Sequence, residues 1–382
     1  VATDLVYVVA TPSPNRNCEM DRVASALGTS AVHLIFMQPV WQSASWQPTF
    51  PKVCPYHCVD SSPEWNGIPF AELSRLLEQL DPRVVVVGGF NQRVARRVIS
   101  WCRQRGVPYC LRSDSNIWTD KYKGVLKYLF RRTVLRPKVR AARKCLLTGE
   151  TNRAFWEHYG MRREQAGWWP QWIDYDRFIA ARELRRTARE QLRDQYQIKC
   201  PLNLLYVGRL IPLKHLERVA EALVGLPEEI GLVLVGQGPE EQRLRAEFGD
   251  KLGKRLHFVG AVESEEMPRL YALGDALVLA TGPRENWGLV LNEAAAVGLP
   301  MICSAQIGAA ADLLVHGRNG YAVEVDDVEH WRNAIRQTMS NPSKLATMGE
   351  QSMAIIDDWR ARSEPVACVQ QILKEAAPSL PC

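Results

Sequence analysis

No stretch of this 382-residue chain approaches the roughly 18 consecutive apolar residues of a membrane-spanning helix, so no transmembrane segment is expected. The opening stretch, Val1–Ala10, is short and lacks a basic flank, which predicts a buried first strand and not a signal peptide. Internal repeats and low-complexity tracts are missing as well. Cysteine is sparse. Its ten residues follow no regular spacing, which argues against a disulfide-stapled scaffold and for the reduced thiols of a cytosolic enzyme. The one tight cluster is Cys54-Pro-Tyr-His-Cys58. A zinc site commonly draws four ligands from two short pairs, and no second pair lies nearby, so a structural loop is expected there.

What is present is the composition of an ordinary globular protein, 46% hydrophobic and 24% charged, in a chain too long for one core. Two domains are therefore expected. The net charge of +6 is unevenly spread: residues 1–180 hold 25 Lys and Arg against 15 Asp and Glu, and residues 181–382 hold 23 against 27. Between 93 and 144 there are 16 basic residues and two acidic ones, Asp114 and Asp120. Such a patch suits an anionic partner, whether membrane surface, phosphate-bearing substrate or nucleic acid. A solvated helix face is the plainer reading.

Short apolar runs recur between helical patterns. In the first half they are Leu5–Ala10, Ala31–Phe36, Val84–Gly88, Val107–Leu111 and Cys145–Thr148. In the second they are Asn203–Gly208, Gly231–Gly236, Leu256–Gly260, Ala276–Ala280 and Pro300–Ser304. Runs such as Val84–Val87 do not alternate with polar residues, so both faces of those strands are expected to be covered, as in a parallel sheet. Two such series predict an α/β chain of two Rossmann-like domains facing one another across a cleft. The boundary is expected near 180/181, with 181–362 as the second domain. The stretch Ala180–Lys199 is charged and reads as a surface helix or linker. The tail 363–382 has a helical pattern without a strand and is expected to pack back on the first domain.

The chemistry concentrates in Thr281–Pro300. A strand ends, a Gly/Pro turn follows, and a helix starts near Gly288, with Glu285 and Glu293 eight positions apart across the boundary. The backbone N–H groups of Asn286, Trp287, Gly288 and Leu289 occupy a helix start, where an anion is favoured. Taken alone, the two glutamates are explained by the helix dipole. They are not alone. Strand Asn203–Gly208 leads into Arg209 and Lys214, two cations past the carboxyl end of a strand, where open α/β sheets bind ligands. A guanidinium fork and an ammonium point charge suit a diphosphate. Strand Gly231–Gly236 ends in Gly236-Gln-Gly238-Pro239, a turn open to close backbone approach.

Residues 203–340 resemble the donor domain of the family-4 retaining glycosyltransferases, of GT-B fold (glycosyl transferases group 1). The resemblance rests on Gly208-Arg209-Leu210 with Lys214, Val235–Glu240, Phe258-Val259-Gly260 and the E-x7-E pair Glu285/Glu293. Gly308 and Asp312 through Gly317–Gly320 complete it. It implies that Arg209 and Lys214 neutralise the diphosphate of a nucleotide sugar. Glu285 would hold the transferred sugar and Glu293 the ribose. Gly208, Gly236, Gly238 and Val259 would frame the nucleotide, and Asn286–Leu289 its distal phosphate. His215 and Trp287 stand where the family usually has Gly and Phe. In the first half, Gly88–Asn91, Leu111–Asn116, Thr148–Asn152 and Trp172–Phe178 resemble one branch of the family. Ser113-Asp114-Ser115 replaces a common His, so Asp114 or Asn116 is expected to meet the sugar. Thr11–Arg16 replaces a common glycine pair, which leaves Arg16 and Asn91 as further acceptor-side candidates.

Asp174-Tyr-Asp176 mimics a metal-binding D-x-D but follows Trp172-Ile173 at the domain exit, and reads as a turn and helix cap. No metal or cofactor is expected, because the cations serve the leaving group, and no nucleic acid either. Retention of configuration, without a covalent intermediate, is what the resemblance implies. The acceptor is a glycan, a lipid-linked glycan or a small molecule. Bulky apolar and basic residues alternate at helical spacing over 121–135, which predicts peripheral contact of 121–144 with an anionic membrane at its cytoplasmic face, or else a core-facing helix with a basic outer face. The competing readings are a nucleotide-sugar epimerase of the same fold and a non-catalytic nucleotide-sugar or polyanion-binding module.

Overall fold

The computed structural model describes residues 3–38, 49–59, 70–90, 92–121 and 125–376. The chain divides into two compact units, Val1–Asp174 with Ser363–Cys382, and Tyr175–Arg362.

The first unit opens with β1 (Leu5–Val9), α1 (Pro14–Leu27), β2 (Val32–Phe36), β3 (Tyr56–Cys58) and α2 (Phe70–Leu80). It continues with β4 (Val84–Gly88), α3 (Arg93–Arg105), β5 (Tyr109–Arg112), α4 (Ile117–Lys121) and α5 (Val125–Ala141). Strand β6 (Lys144–Leu147), α6 (Glu150–His158) and β7 (Ala166–Trp168) complete the sheet. All seven strands are parallel, in the order β3-β2-β1-β4-β5-β6-β7. Both faces are covered, as the valine run requires. In β1, Val6 and Val8 join one apolar cluster, and Leu5, Tyr7 and Val9 join another on the opposite face.

The second unit begins with α7 (Tyr175–Thr187) and α8 (Arg189–Gln195), then β8 (Leu202–Val207), α9 (Leu216–Val224), β9 (Ile230–Val235) and α10 (Glu240–Leu252). There follow β10 (Leu256–Gly260), α11 (Met267–Tyr271), β11 (Ala276–Leu279), α12 (Leu289–Val297) and β12 (Met301–Ser304). Helix α13 (Ala310–Leu313), β13 (Gly320–Val323), α14 (Val328–Met339) and α15 (Pro342–Arg362) close it. Its six parallel strands run β10-β9-β8-β11-β12-β13. Both sheets reverse direction of strand addition once, between β1 and β4 and between β8 and β11. At such a switch point the loops part and leave a crevice at the carboxyl ends of the strands.

Three strands had no counterpart among the expected apolar runs: β3, β7 and β13. Each is an edge strand of three or four residues. An edge needs apolar cover on fewer sides, so it leaves little trace in a hydropathy pattern. The charged stretch 180–199 is not a free linker. It forms α7 and α8, bound to the second unit by Arg182 Nε donating to the Ala296 carbonyl (2.6 Å) and by Arg193 paired with Asp275 (2.7 Å). Asp176, of the D-x-D look-alike, pairs with Arg360 of α15 at 2.5 Å. The tail helix α16 (Pro365–Ala376) buries Cys368, Val369 and Ile372 in the cluster beneath α1, and Arg22 of α1 pairs with Glu364 at 2.7 Å.

Candidate active site

The switch point of the second sheet gathers most of the residues singled out from sequence. After β8 the chain enters Gly208 and Arg209, then a 3-10 turn over Pro212–Lys214. After β11 it enters Thr281–Gly288, which ends at the start of α12. These two loops flank the crevice, and Lys214 Nζ joins them by donating to Glu285 Oε2 at 2.5 Å. Both side chains are largely buried, so the pair feels a lower dielectric than a surface bridge. Arg209 is exposed, and among the described residues no carboxylate pairs with it. An exposed guanidinium and a shared ammonium past the carboxyl end of one strand are groups suited to an anion.

The glycines of this region are set by backbone crowding. A Cβ on Gly236 would lie 2.0 Å from the Gly208 carbonyl oxygen, and one on Gly238 would lie 2.2 Å from that of Leu210. They let the loops after β8 and β9 touch, through Leu210 N–H donating to the Gln237 carbonyl (2.9 Å). Gly308 serves the α12 entry in the same way, since a Cβ there would stand 2.0 Å from the Asn286 carbonyl oxygen. Ala309 N–H donates to the Trp287 carbonyl at 2.8 Å, which pins the turn that presents the first N–H groups of α12. Gly288 caps that helix with a left-handed backbone, φ 89°.

Trp287 contributes a backbone position to this turn, and its indole is core. It stacks on Trp359 with centroids 5.5 Å apart and donates Nε1–H to Asn292 Oδ1 at 2.9 Å. The indole, larger than the phenyl group usual in the family, is accommodated against Trp359. Glu293 accepts from the Tyr271 hydroxyl at 2.5 Å. Burial pushes the Glu293 carboxyl above its usual range, and the Tyr271 hydrogen bond and Arg177 work the other way. Tyr271 itself is pushed well up, by burial first and then by Glu293. Val259 lies half-buried in β10, an edge strand next to β9.

In the first unit the acceptor-side candidates sort differently. Arg16 stands in the first turn of α1, past the carboxyl end of β1, and donates to the Thr11 carbonyl at 2.7 Å. Asn116 is buried, and its Oδ1 accepts from Thr119 N–H (2.7 Å) and the Thr119 hydroxyl (2.9 Å), capping α4. Asp114 is half-buried in the loop after β5. Asn91 and residues 122–124 lie outside the described residues. Two residues of the family-like segments to which the sequence assigned no role organise this edge. Asn152 donates to the carbonyls of Ser113 (2.9 Å) and Ser115 (2.7 Å), which fixes the Ser113–Asn116 loop. Arg112 is buried in a fork on Glu19, two bonds of 3.1 Å, with its guanidinium 4.2 Å over the Trp169 ring. Burial opposes its charge, but Glu19 outweighs that and holds the guanidinium above its ordinary range. Both lie in segments of the resemblance, Leu111–Asn116 and Thr148–Asn152, but their partners stand in other parts of the chain, which spacing does not show.

The Cys54–Cys58 segment has no converging side chains. Cys54 is buried, Cys58 is exposed on β3, and His57 accepts or donates against His33 at 2.7 Å. Burial, with His57 beside it, pushes His33 down to about 4. Among the described residues no three His, Cys, Asp or Glu side chains gather as a metal site. Among them, too, no helix is long and apolar enough to cross a membrane.

Residues 188–354 match the family model described as glycosyl transferases group 1. A GDP-mannose-dependent alpha-(1-6)-phosphatidylinositol monomannoside mannosyltransferase of Mycolicibacterium smegmatis is 27% identical over 206 residues, 51% of this chain and 52% of that protein. The D-rhamnosyltransferase WbpZ of Pseudomonas aeruginosa is 31% identical over 156 residues, 40% of each. The matched part thus spans about half the length of these relatives, or less. In structure, Anabaena Alr3699/HepE, crystallised with UDP, superposes with a TM-score of 0.72 over 97% of this chain and 98% of its own, at 18% identity. That likeness establishes the fold, GT-B, for the whole chain.

Proposed function

We propose that this chain, whose residues 188–354 form a glycosyl transferases group 1 domain, transfers a sugar from a nucleoside-diphosphate sugar to an acceptor hydroxyl. The Lys214–Glu285 pair carries the reading: it joins the two loops of the switch point beside an exposed Arg209 and the start of α12. The leaving group is a nucleoside diphosphate, so the reaction needs stabilisation of developing phosphate charge more than a strong acid. Arg209 meets it by forked hydrogen bonds. Lys214 has three donors, so it can hold Glu285 and a phosphate oxygen together. The first N–H groups of α12 add donors that need no reorganisation. Glu285 then faces the sugar hydroxyls and the cationic character at the anomeric carbon. We assign it to positioning and charge stabilisation, with retention of configuration. With two cations and a helix start at the phosphates, no metal is required. Glu293 is the ribose partner, its carboxyl oriented by Tyr271.

The acceptor is a glycan, a lipid-linked glycan or a small molecule, taken up on the first unit near Arg16 and Asp114. A lipid-linked acceptor brings the enzyme to the cytoplasmic face of a membrane, and the basic stretch 121–144 supports that placement. Within it, Leu129 of α5 is half-exposed, an apolar side chain in a basic helix. Flotation with anionic vesicles at low salt is expected to carry the protein to the top of the gradient. Protein left at the bottom removes the membrane from this proposal.

The donor site is tested by thermal shift with UDP, GDP, ADP and TDP, on wild type and on Arg209→Ala. A nucleotide at ~100 times its dissociation constant adds about 2.7 kcal/mol to the unit that binds it, enough for a few degrees. One nucleotide is expected to give that shift in the wild type and to lose most of it in the variant. No shift with any of the four overturns the donor-site reading and leaves the polyanion-binding module in its place.

A further inference from the structure

We infer that His215 is a donor-specific binding residue, its Nε2 hydrogen-bonding the distal phosphate of the nucleoside diphosphate; this rests on the donor site proposed above. His215 follows Lys214 and precedes α9, with φ 46° and ψ 39°. Among the described residues only Asp81, Gln197 and His215 adopt positive φ without being glycine. Glycine occupies that region without strain, whereas a side chain there crowds the backbone. A strained residue persists where something else requires it, and such residues cluster at ligand sites. Local structure gives histidine no reason to stand here. It sits at the N-cap of α9, yet its side chain makes no capping hydrogen bond.

The ring has a definite place. Its Nε2 lies 3.4 Å from where a Cβ of Gly282 would be, so the imidazole rests on the loop that follows β11 and carries Glu285. Gly282 leaves the room for it. The other nitrogen, Nδ1, lies 3.5 Å from Glu217 Oε1, and Glu217 Oε2 is buried with no hydrogen-bond partner. A carboxylate on the Nδ1 side orients the ring and directs Nε2 away from α9, toward the switch-point crevice. Four positions before Glu285, Thr281 is fully buried and its hydroxyl has no partner among the described residues. The two loops therefore bring together an imidazole and an ammonium, with buried polar atoms behind them that protein contacts do not satisfy. A doubly protonated imidazole donates from both nitrogens, to Glu217 on one side and to a phosphate oxygen on the other. The same residue closes the gap between the loops after β8 and β11, so it meets the ligand where the two loops come together.

The test is His215→Gly. Glycine suits the left-handed backbone, so the unliganded variant is expected to unfold at the same temperature as wild type or a higher one. Dissociation constants are then measured by calorimetry for the diphosphate that gives the largest thermal shift, and for its monophosphate. The diphosphate is expected to bind about tenfold more weakly to the variant, as for loss of one charge-assisted hydrogen bond, with the monophosphate changed less than twofold. His215→Asn, which tolerates the same backbone and keeps a donor, is expected to fall between. An unchanged diphosphate affinity overturns the inference, and so does an equal loss for both ligands, which marks a loop disturbance. Wild-type protein that binds no diphosphate overturns the donor-site reading itself.

Discussion

Lys214→Ala is expected to lower kcat for sugar transfer by about 10²–10³-fold, the scale on which a preorganised charge at a developing anion acts. Two effects add. The variant loses the ammonium that faces the leaving phosphate. It also takes from Glu285 the ammonium that pairs with it at 2.5 Å, so more of the carboxylate's charge is left to repel the diphosphate. Lys214→Arg keeps the charge but replaces a compact ammonium by a planar fork, and is expected to recover part of the rate. The fold should change little, because the pair joins two loops and no core residue moves. The measurement is steady-state kinetics beside thermal unfolding. A kcat within threefold of wild type, with unfolding shifted down, makes the pair a structural bridge and removes Lys214 from the mechanism.

The largest stability effect is expected at Arg112→Met, a loss of about 3–5 kcal/mol in the first unit. Arg112 and Glu19 are both nearly inaccessible, and the carboxylate has taken a hydrogen bond from Trp169 Nε1 at 2.5 Å besides the guanidinium fork. Removing the cation strands that carboxylate in an apolar layer with Tyr7 and Trp169, and the desolvation cost is no longer offset. Urea unfolding followed by fluorescence reports the transition of the first unit. Arg112→Met with Glu19→Leu removes both charges and is expected to be more stable than Arg112→Met alone, because the cost lies in the unpaired charge and not in the missing bridge. A single variant within 1 kcal/mol of wild type would mean that water reaches Glu19.

The elements legible in the sequence are those with local causes. The valine run of β4 announces a strand covered on both faces, because no polar residue is offered to water over four positions. The N–H groups of Asn286–Leu289 at the start of α12 read as an anion site beside Glu285, because capping and the helix dipole act within one turn. Arg209 and Lys214 were placed at a carboxyl edge by their distance from a strand end. The glycines 236 and 238 were legible as a turn open to close approach and Gly308 as a position, but not what approaches them. Only the folded chain shows that each faces a carbonyl of another loop.

By itself, then, the sequence determined two α/β halves, the interior strands of each, and the cations and glutamates at the carboxyl edge of the second sheet. Each depends on spacings shorter than one helix or one strand–loop unit. The tertiary structure alone decided the rest. It supplied the edge strands β3, β7 and β13, which at three or four residues are too short to leave a pattern. It moved Trp287 into the core beside Trp359 and turned Asn116 into a helix cap. It brought Arg112 to Glu19 across 93 positions, and laid the His215 ring on the loop at Gly282. The physical reason is common to all of these: their partners are distant in the chain, and burial or a hydrogen bond between distant residues leaves no periodicity to read.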